Sequence, residues 1–136
     1  MASKTWLVKQ EPSAYAWARF VEDGRTAWTG VRNYQARNNL RAMAVGDRVL
    51  YYHSNDDRAV IGIARVSRAA FPDPTADEPG WDCVELVPER ALATPVTLAR
   101  IKEDPALADI GLIRQSRLSV MPVPAAAFAR IVKLGA

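Results

Sequence analysis

Between Trp28 and Asn38 the chain reads WTGVRNYQARN. This short window holds the rings of Trp28 and Tyr34, the guanidinium groups of Arg32 and Arg37, and the side-chain amides of Asn33, Gln35 and Asn38. Amphipathic helices and strands separate apolar from polar residues, whereas here the two are interleaved. Flat rings offer stacking surfaces, and an amide sets a donor beside an acceptor, the arrangement a nucleobase edge also presents. Arginine adds a planar cation that suits phosphate or stacking. The chemistry this window can do is to grip a planar, hydrogen-bonding ligand, with a nucleobase as the leading candidate.

Other chemistries find less material. One histidine, His53, and one cysteine, Cys83, cannot make a zinc site by themselves. Asp56, Asp57, Asp73, Asp77 and Glu78 lack the spacing of a calcium-binding loop. His53 and Ser54 are neighbours at a strand end, where consecutive side chains diverge, and no glycine-flanked nucleophile turn surrounds Ser54. The glycines are scattered, so no phosphate-cradling loop is formed and no cofactor is called for. His53 carries two readings: it hydrogen-bonds a neighbour at its strand end, or it lines a pocket with Ser54. Arg114, Arg117 and Ser119 form a second polar cluster around QSRLS, read either as a solvated loop or as part of a site.

The elements that must position these residues follow from composition and periodicity. The chain has 136 residues, enough for one domain spanning 1–136, with an ordinary 49% hydrophobic and 24% charged share. No apolar run is long enough to cross a bilayer, and Met1-Ala2-Ser3-Lys4 lacks a signal-peptide core. A single cysteine fits a reducing cytoplasm. The net charge of +3 admits a polyanionic partner but is too small to hold one by charge alone, so selectivity must come from a pocket.

Thr5 to Val8 reads as a first strand, and a helix follows from Pro12 to about Asp23, closed by Gly24. A helix from about Asn33 runs through Leu40 and Met43, and Gly46-Asp47 turns into the strand Arg48 to Tyr52. Val60 to Val66 is the clearest strand, with Gly62 marking a bend or a close backbone approach. Phe71 to Gly80 is a proline-rich loop, and Trp81 to Leu92 a strand that Pro88 bulges or places at an edge. Thr97 caps a short helix to Lys102, Leu118 to Val123 is a last strand, and Pro124 to Lys133 a C-terminal helix. Trp6, Trp17, Phe20 and Phe128 sit in apolar periodic segments and belong to the core. The fold class is α+β: a strongly bent sheet, read as a small closed barrel, flanked by short helices.

Several segments, in order and spanning nearly the whole chain, together resemble the EVE domain: WLVKQEP with Tyr15, WTGVRNYQARN, MAVGDRVLYYHS, VIGIARV, FPDPT, PVTL with the following IK, and SRLSVMPV. That family is grouped with PUA-like barrels, alongside the YTH and ASCH domains. The resemblance implies a pocket that accepts a flipped-out, modified base in DNA or RNA, a modified cytosine above all. It places Asn33, Tyr34, Gln35 and Arg37, His53 and Ser54, and Arg117 and Ser119 in the site. Trp28 is the expected stacking ring, with Tyr34 opposite, and Arg37 and Arg117 are the expected phosphate contacts. Family members often carry Ser in place of Gln10 and Tyr in place of Phe71, so both residues are left out of the expected site.

The reading is thus a non-catalytic reader of a modified nucleobase, with no metal, no membrane partner, a cytoplasmic location and a monomer as the expected state. The oligomeric state itself is open, as is the choice between DNA and RNA. Two rivals stand beside it. One is an enzyme on a modified nucleoside or nucleotide, with His53 and Glu11 or Asp73 as acid and base. The other is a peptide-binding domain that uses the aromatic segment as a groove.

Overall fold

The β-strands Thr5–Gln10 (β1) and Arg48–His53 (β3) run parallel at the centre of the molecule, with Gln10 opposite His53 at their shared C-terminal end. A parallel pair needs a long crossover. Here it contains the helices Pro12–Tyr15 (α1) and Trp17–Asp23 (α2), the strand Thr26–Ala27 (β2) and the helix Tyr34–Ala42 (α3). The strands Ala59–Pro72 (β4) and Asp82–Thr97 (β5) form a long antiparallel hairpin, and Val120–Pro122 (β6) pairs with β1. The helices Leu98–Glu103 (α4), Gly111–Arg114 (α5) and Ala125–Leu134 (α6), with a 3₁₀ turn at Pro105–Leu107, complete the chain. These positions come from a computed structural model that describes residues 4–55 and 57–136. The residues Met1 to Ser3 and Asp56, which entered the reading above, lie outside the described ones.

The sheet has the order β2-β5-β4-β3-β1-β6 and is not a closed barrel. Its edges, β2 and β6, are too short to meet. β2 has two residues, and β6 ends at Pro122, which has no N–H to donate. The bend comes instead from the hairpin, whose register slips four times along β4 and β5, each slip adding local twist. One slip lies beside Pro88, beyond the reach of the short β2, where β5 is a free edge and a missing donor costs nothing. Both strands outrun the apolar pattern that marks them, β4 extending to Pro72 and β5 through Pro95 to Thr97.

The helix expected from Pro12 to Asp23 is broken at Ala16, which is extended at ψ 156°. Side chains of β3 take the two backbone groups that a continuous helix would use. The Tyr51 hydroxyl donates to the Tyr15 carbonyl at 2.5 Å, and the Trp17 N–H donates to His53 Nε2 at 3.0 Å. Caps at Gly24 (φ 78°) and Thr97 follow the sequence reading, and Asn33 caps a third helix; the Asn33 and Thr97 side chains accept from the N–H groups of Ala36 and Arg100.

Tyr51 is wholly buried at the centre of an aromatic cluster. Phe20 stacks on it at 5.3 Å, and Trp17 and Trp28 meet it edge-on at 5.4 and 5.5 Å. The Trp17 ring lies directly over Gly62, where a Cβ would come within 2.6 Å of it. Gly62 therefore serves the close approach expected of it. Trp6, Trp17, Phe20 and Phe128 are all buried, as their periodicity requires.

Candidate nucleic-acid interface

The 28–37 segment is pinned to the loop that joins β4 and β5. Its anchor is Asp73, whose side chain has no exposure. One carboxylate oxygen accepts from the Gly30 N–H at 2.9 Å and from Arg32 at 3.0 Å; the other accepts from the Thr75 N–H at 2.7 Å and its hydroxyl at 2.6 Å. Burial alone would push this carboxyl up. The hydrogen bonds from Thr75, Gly30 and Arg32 outweigh it and hold the group at about 2. Asp73 is thus committed to fixing the segment and is not the free acid or cation ligand that its loop position suggested. The sequence signal for this role was PDPT, an Asp whose side chain closes a turn on the residue two further on.

Trp28 is 5% exposed, and its N–H donates to the Val84 carbonyl at 2.8 Å. The ring belongs to the core cluster, with one border on a cavity of about 200 Å³ lined by Gln10, Tyr15, Thr26, Ala27, Trp28 and Thr29. Its indole N–H has no partner among the described residues. The expected sandwich with Tyr34 is not formed. Tyr34 is 66% exposed and stacks on Trp81 at 5.0 Å and 22°. The Arg37 guanidinium lies 4.9 Å from the Tyr34 ring and 5.7 Å from that of Trp81, and Arg32 lies 5.7 Å from Trp81. Trp28 separates from Tyr34 because it turns inward to fill the space beside Tyr51, whereas Tyr34 opens a surface helix.

At the other end of the segment, Asn33 and Gln35 meet Arg114, Gln115 and Arg117 around an open depression of about 340 Å³. Gln35 donates to Gln115 Oε1 at 2.8 Å, tying α3 to the turn after α5. Here the two polar clusters, far apart in the chain, come together. Asn33 itself spends its side-chain oxygen on the Ala36 N–H. Arg37 donates to the Gly80 carbonyl at 3.1 Å and to Asn38. Arg37 and Arg117 have no carboxylate partner among the described residues, whereas Arg32, Arg41 and Arg114 do.

The end of β1 lies between the two hollows. The Lys9 N–H donates to the Ser119 carbonyl at 2.9 Å and its ammonium to the Ser116 carbonyl at 2.8 Å. Gln10, the next residue, lines the cavity, and its carbonyl accepts the Ser54 N–H at 3.0 Å. Ser54 and Ser119 therefore both sit at the C-terminal end of β1. His53 is buried with both ring nitrogens engaged: Nε2 accepts from the Trp17 N–H, which leaves the proton on Nδ1, 2.7 Å from Asp57. That is its structural reading, with no ring nitrogen left for a ligand. Gln10, left out on the ground of its departure from the family pattern, is brought to the cavity wall. Its register opposite His53 was not legible before the strands were paired.

Among the described residues no three His, Cys, Asp or Glu side chains cluster as a metal site, and no helix is long and apolar enough to cross a membrane.

Residues 4–134 match the family model described as EVE domain. The chain is 32% identical to thymocyte nuclear protein 1 of Danio rerio over 95% of its own length and 71% of that protein. It is 46% identical to Rpa0253 of Rhodopseudomonas palustris, solved by NMR, with a TM-score of 0.93 over 97% of this chain and 92% of that one. The human THYN1 protein, solved in complex with DNA containing 5-methylcytosine, is 28% identical and superposes with a TM-score of 0.90 over 98% of each chain.

Proposed function

This chain belongs to the EVE domain family, and on that premise we propose that it is a non-catalytic nucleic-acid-binding module that reads one modified base, a modified cytosine, extruded into the cavity beside Trp28. One observation carries the reading: a cavity below the roughly 300 Å³ that drug-sized ligands need, walled by a rigid indole and polar side chains, at the C-terminal end of β1. The complex of human THYN1 with 5-methylcytosine DNA supports the choice of base and of DNA over RNA. Trp28 supplies the apolar wall, and Ser54 and Ser119 border the strand end at which the base enters. Asn33, Gln35 and Arg117 take the neighbouring backbone in the open depression, while Tyr34 and Arg37 present a stacked, cationic surface to the strand beyond. His53 holds the β3 end and α2 in place rather than touching the base. The two engaged nitrogens of His53 and the saturated Asp73 carboxylate support binding over acid–base chemistry. We place the protein, as a monomer, in the cytoplasm, where its lone Cys83 stays reduced.

Extruding a base costs a few kcal/mol, least from a single strand or a mispair, and a methyl-sized niche returns only about 1–3 kcal/mol. The preference for the modified base is therefore modest. Fluorescence anisotropy on matched DNA and RNA oligonucleotides with one cytosine, 5-methylcytosine or N6-methyladenine, at several salt concentrations, tests this. The modified cytosine should bind best, Trp28→Ala should erase the preference, and Arg117→Ala should keep it while lowering the salt slope by about one. Equal affinity for every oligonucleotide, governed by salt alone, rejects the reading.

A further inference from the structure

We infer that Gln10 determines which class of base the cavity takes, its side-chain amide donating to the acceptor edge of an extruded pyrimidine, the O2 carbonyl and, in cytosine, N3. This rests on the reading above, in that it assumes a base enters beside Trp28. Gln10 is held from two directions. Its backbone carbonyl accepts the Ser54 N–H at 3.0 Å, and its side-chain Oε1 accepts the Glu11 N–H at 3.0 Å. The second bond orients the amide: with the oxygen turned to Glu11, the NH₂ group has no partner among the described residues, and Gln10 is one of the residues that line the cavity.

The other polar side chains of that wall divide into used and open. The Tyr15 hydroxyl donates to Asp23 at 2.7 Å, and the Thr26 hydroxyl faces the Ala27 carbonyl at 3.5 Å. The Gln10 amide, the Trp28 indole N–H and the Thr29 hydroxyl remain open among the described residues. Two of these three groups can only donate. The two donors without partners match a ligand edge that offers acceptors, and a donor left unmatched once the base covers it is penalised. The cavity of about 200 Å³ has room for a single base. Together these features fit a pyrimidine presenting O2 and N3, with the 5-substituent turned to another part of the wall.

Two substitutions isolate the donor. Gln10→Glu keeps an oxygen for the Glu11 N–H and removes the NH₂; Gln10→Met removes the amide without adding charge. The readout is the affinity for an oligonucleotide carrying 5-methylcytosine relative to the same oligonucleotide with an abasic site, which keeps the backbone and lacks the base. Circular dichroism and urea midpoints check that both variants fold. For the wild type this ratio should exceed one and should be higher than for N6-methyladenine. Both variants should lower it about tenfold, as expected for one lost hydrogen bond. A wild type with a ratio of one overturns the reader assignment and this inference with it. A wild-type preference that both folded variants retain overturns the role of Gln10 and leaves the reader assignment standing. Equal acceptance of N6-methyladenine and 5-methylcytosine by the wild type overturns the pyrimidine class.

Discussion

Replacing Asp73 by Asn should uncouple the 28–37 segment from the β4–β5 loop, and the size of the effect follows from its protonation. Its carboxylate accepts four hydrogen bonds while fully buried. They hold its pKa at about 2, against 3.8 for a free aspartate. A depressed folded value means that the stabilisation is complete above the unfolded pKa and is lost as the pH falls through the folded one. The window is therefore from about pH 4 down to about pH 2, and the shift corresponds to roughly 2 kcal/mol at neutral pH. Asparagine keeps the shape and one oxygen, but it turns an NH₂ toward groups that are themselves donors and has no charge to lose. Urea unfolding of both proteins at neutral pH, about pH 5 and about pH 3 measures the gap. It should be about 2–3 kcal/mol at neutral pH, unchanged at about pH 5, and clearly smaller at about pH 3. A gap that stays constant across this range, or no gap at neutral pH, would refute the assignment of Asp73 as an ionised anchor. Because Gly30 and Arg32 hang from the same oxygen, the variant should also lose affinity for the modified oligonucleotide at neutral pH.

Two further perturbations probe the frame behind the cavity. Gly62→Ala puts a methyl group within 2.6–2.8 Å of three ring atoms of Trp17, so the ring must shift; a loss of about 1–3 kcal/mol is expected, and an unchanged urea midpoint would contradict the close packing. Cys83 is buried, and burial first, then the carboxylates of Asp73 and Asp82, push its thiol up to about 11. It should resist alkylation in the native protein at mildly alkaline pH and react at once in denaturant; fast modification of the folded protein would show that β5 opens.

Local features were legible in the chain because they depend on neighbours within a few positions. Thr97 caps a helix through the N–H group three residues on, Gly24 supplies a left-handed cap, and the apolar run Val60–Val66 marks a strand whichever strands lie beside it. The ordered set of motifs carried the family in the same way. What tertiary structure decided are contacts between residues tens of positions apart, which depend on sheet register. The helix broke at Ala16 because Tyr51 and His53 claimed its backbone groups. Trp28, flanked by polar residues, turned inward because Tyr51 left an aromatic edge to fill. The barrel stayed open because its edge strands are a two-residue segment and one that ends in proline. Asn33 and Gln35 found Arg117, and Gln10 found the cavity, only once β1, β3 and β6 were in register. Residue types alone state which groups can bond; the paired strands decide which of them are left with something still to bind.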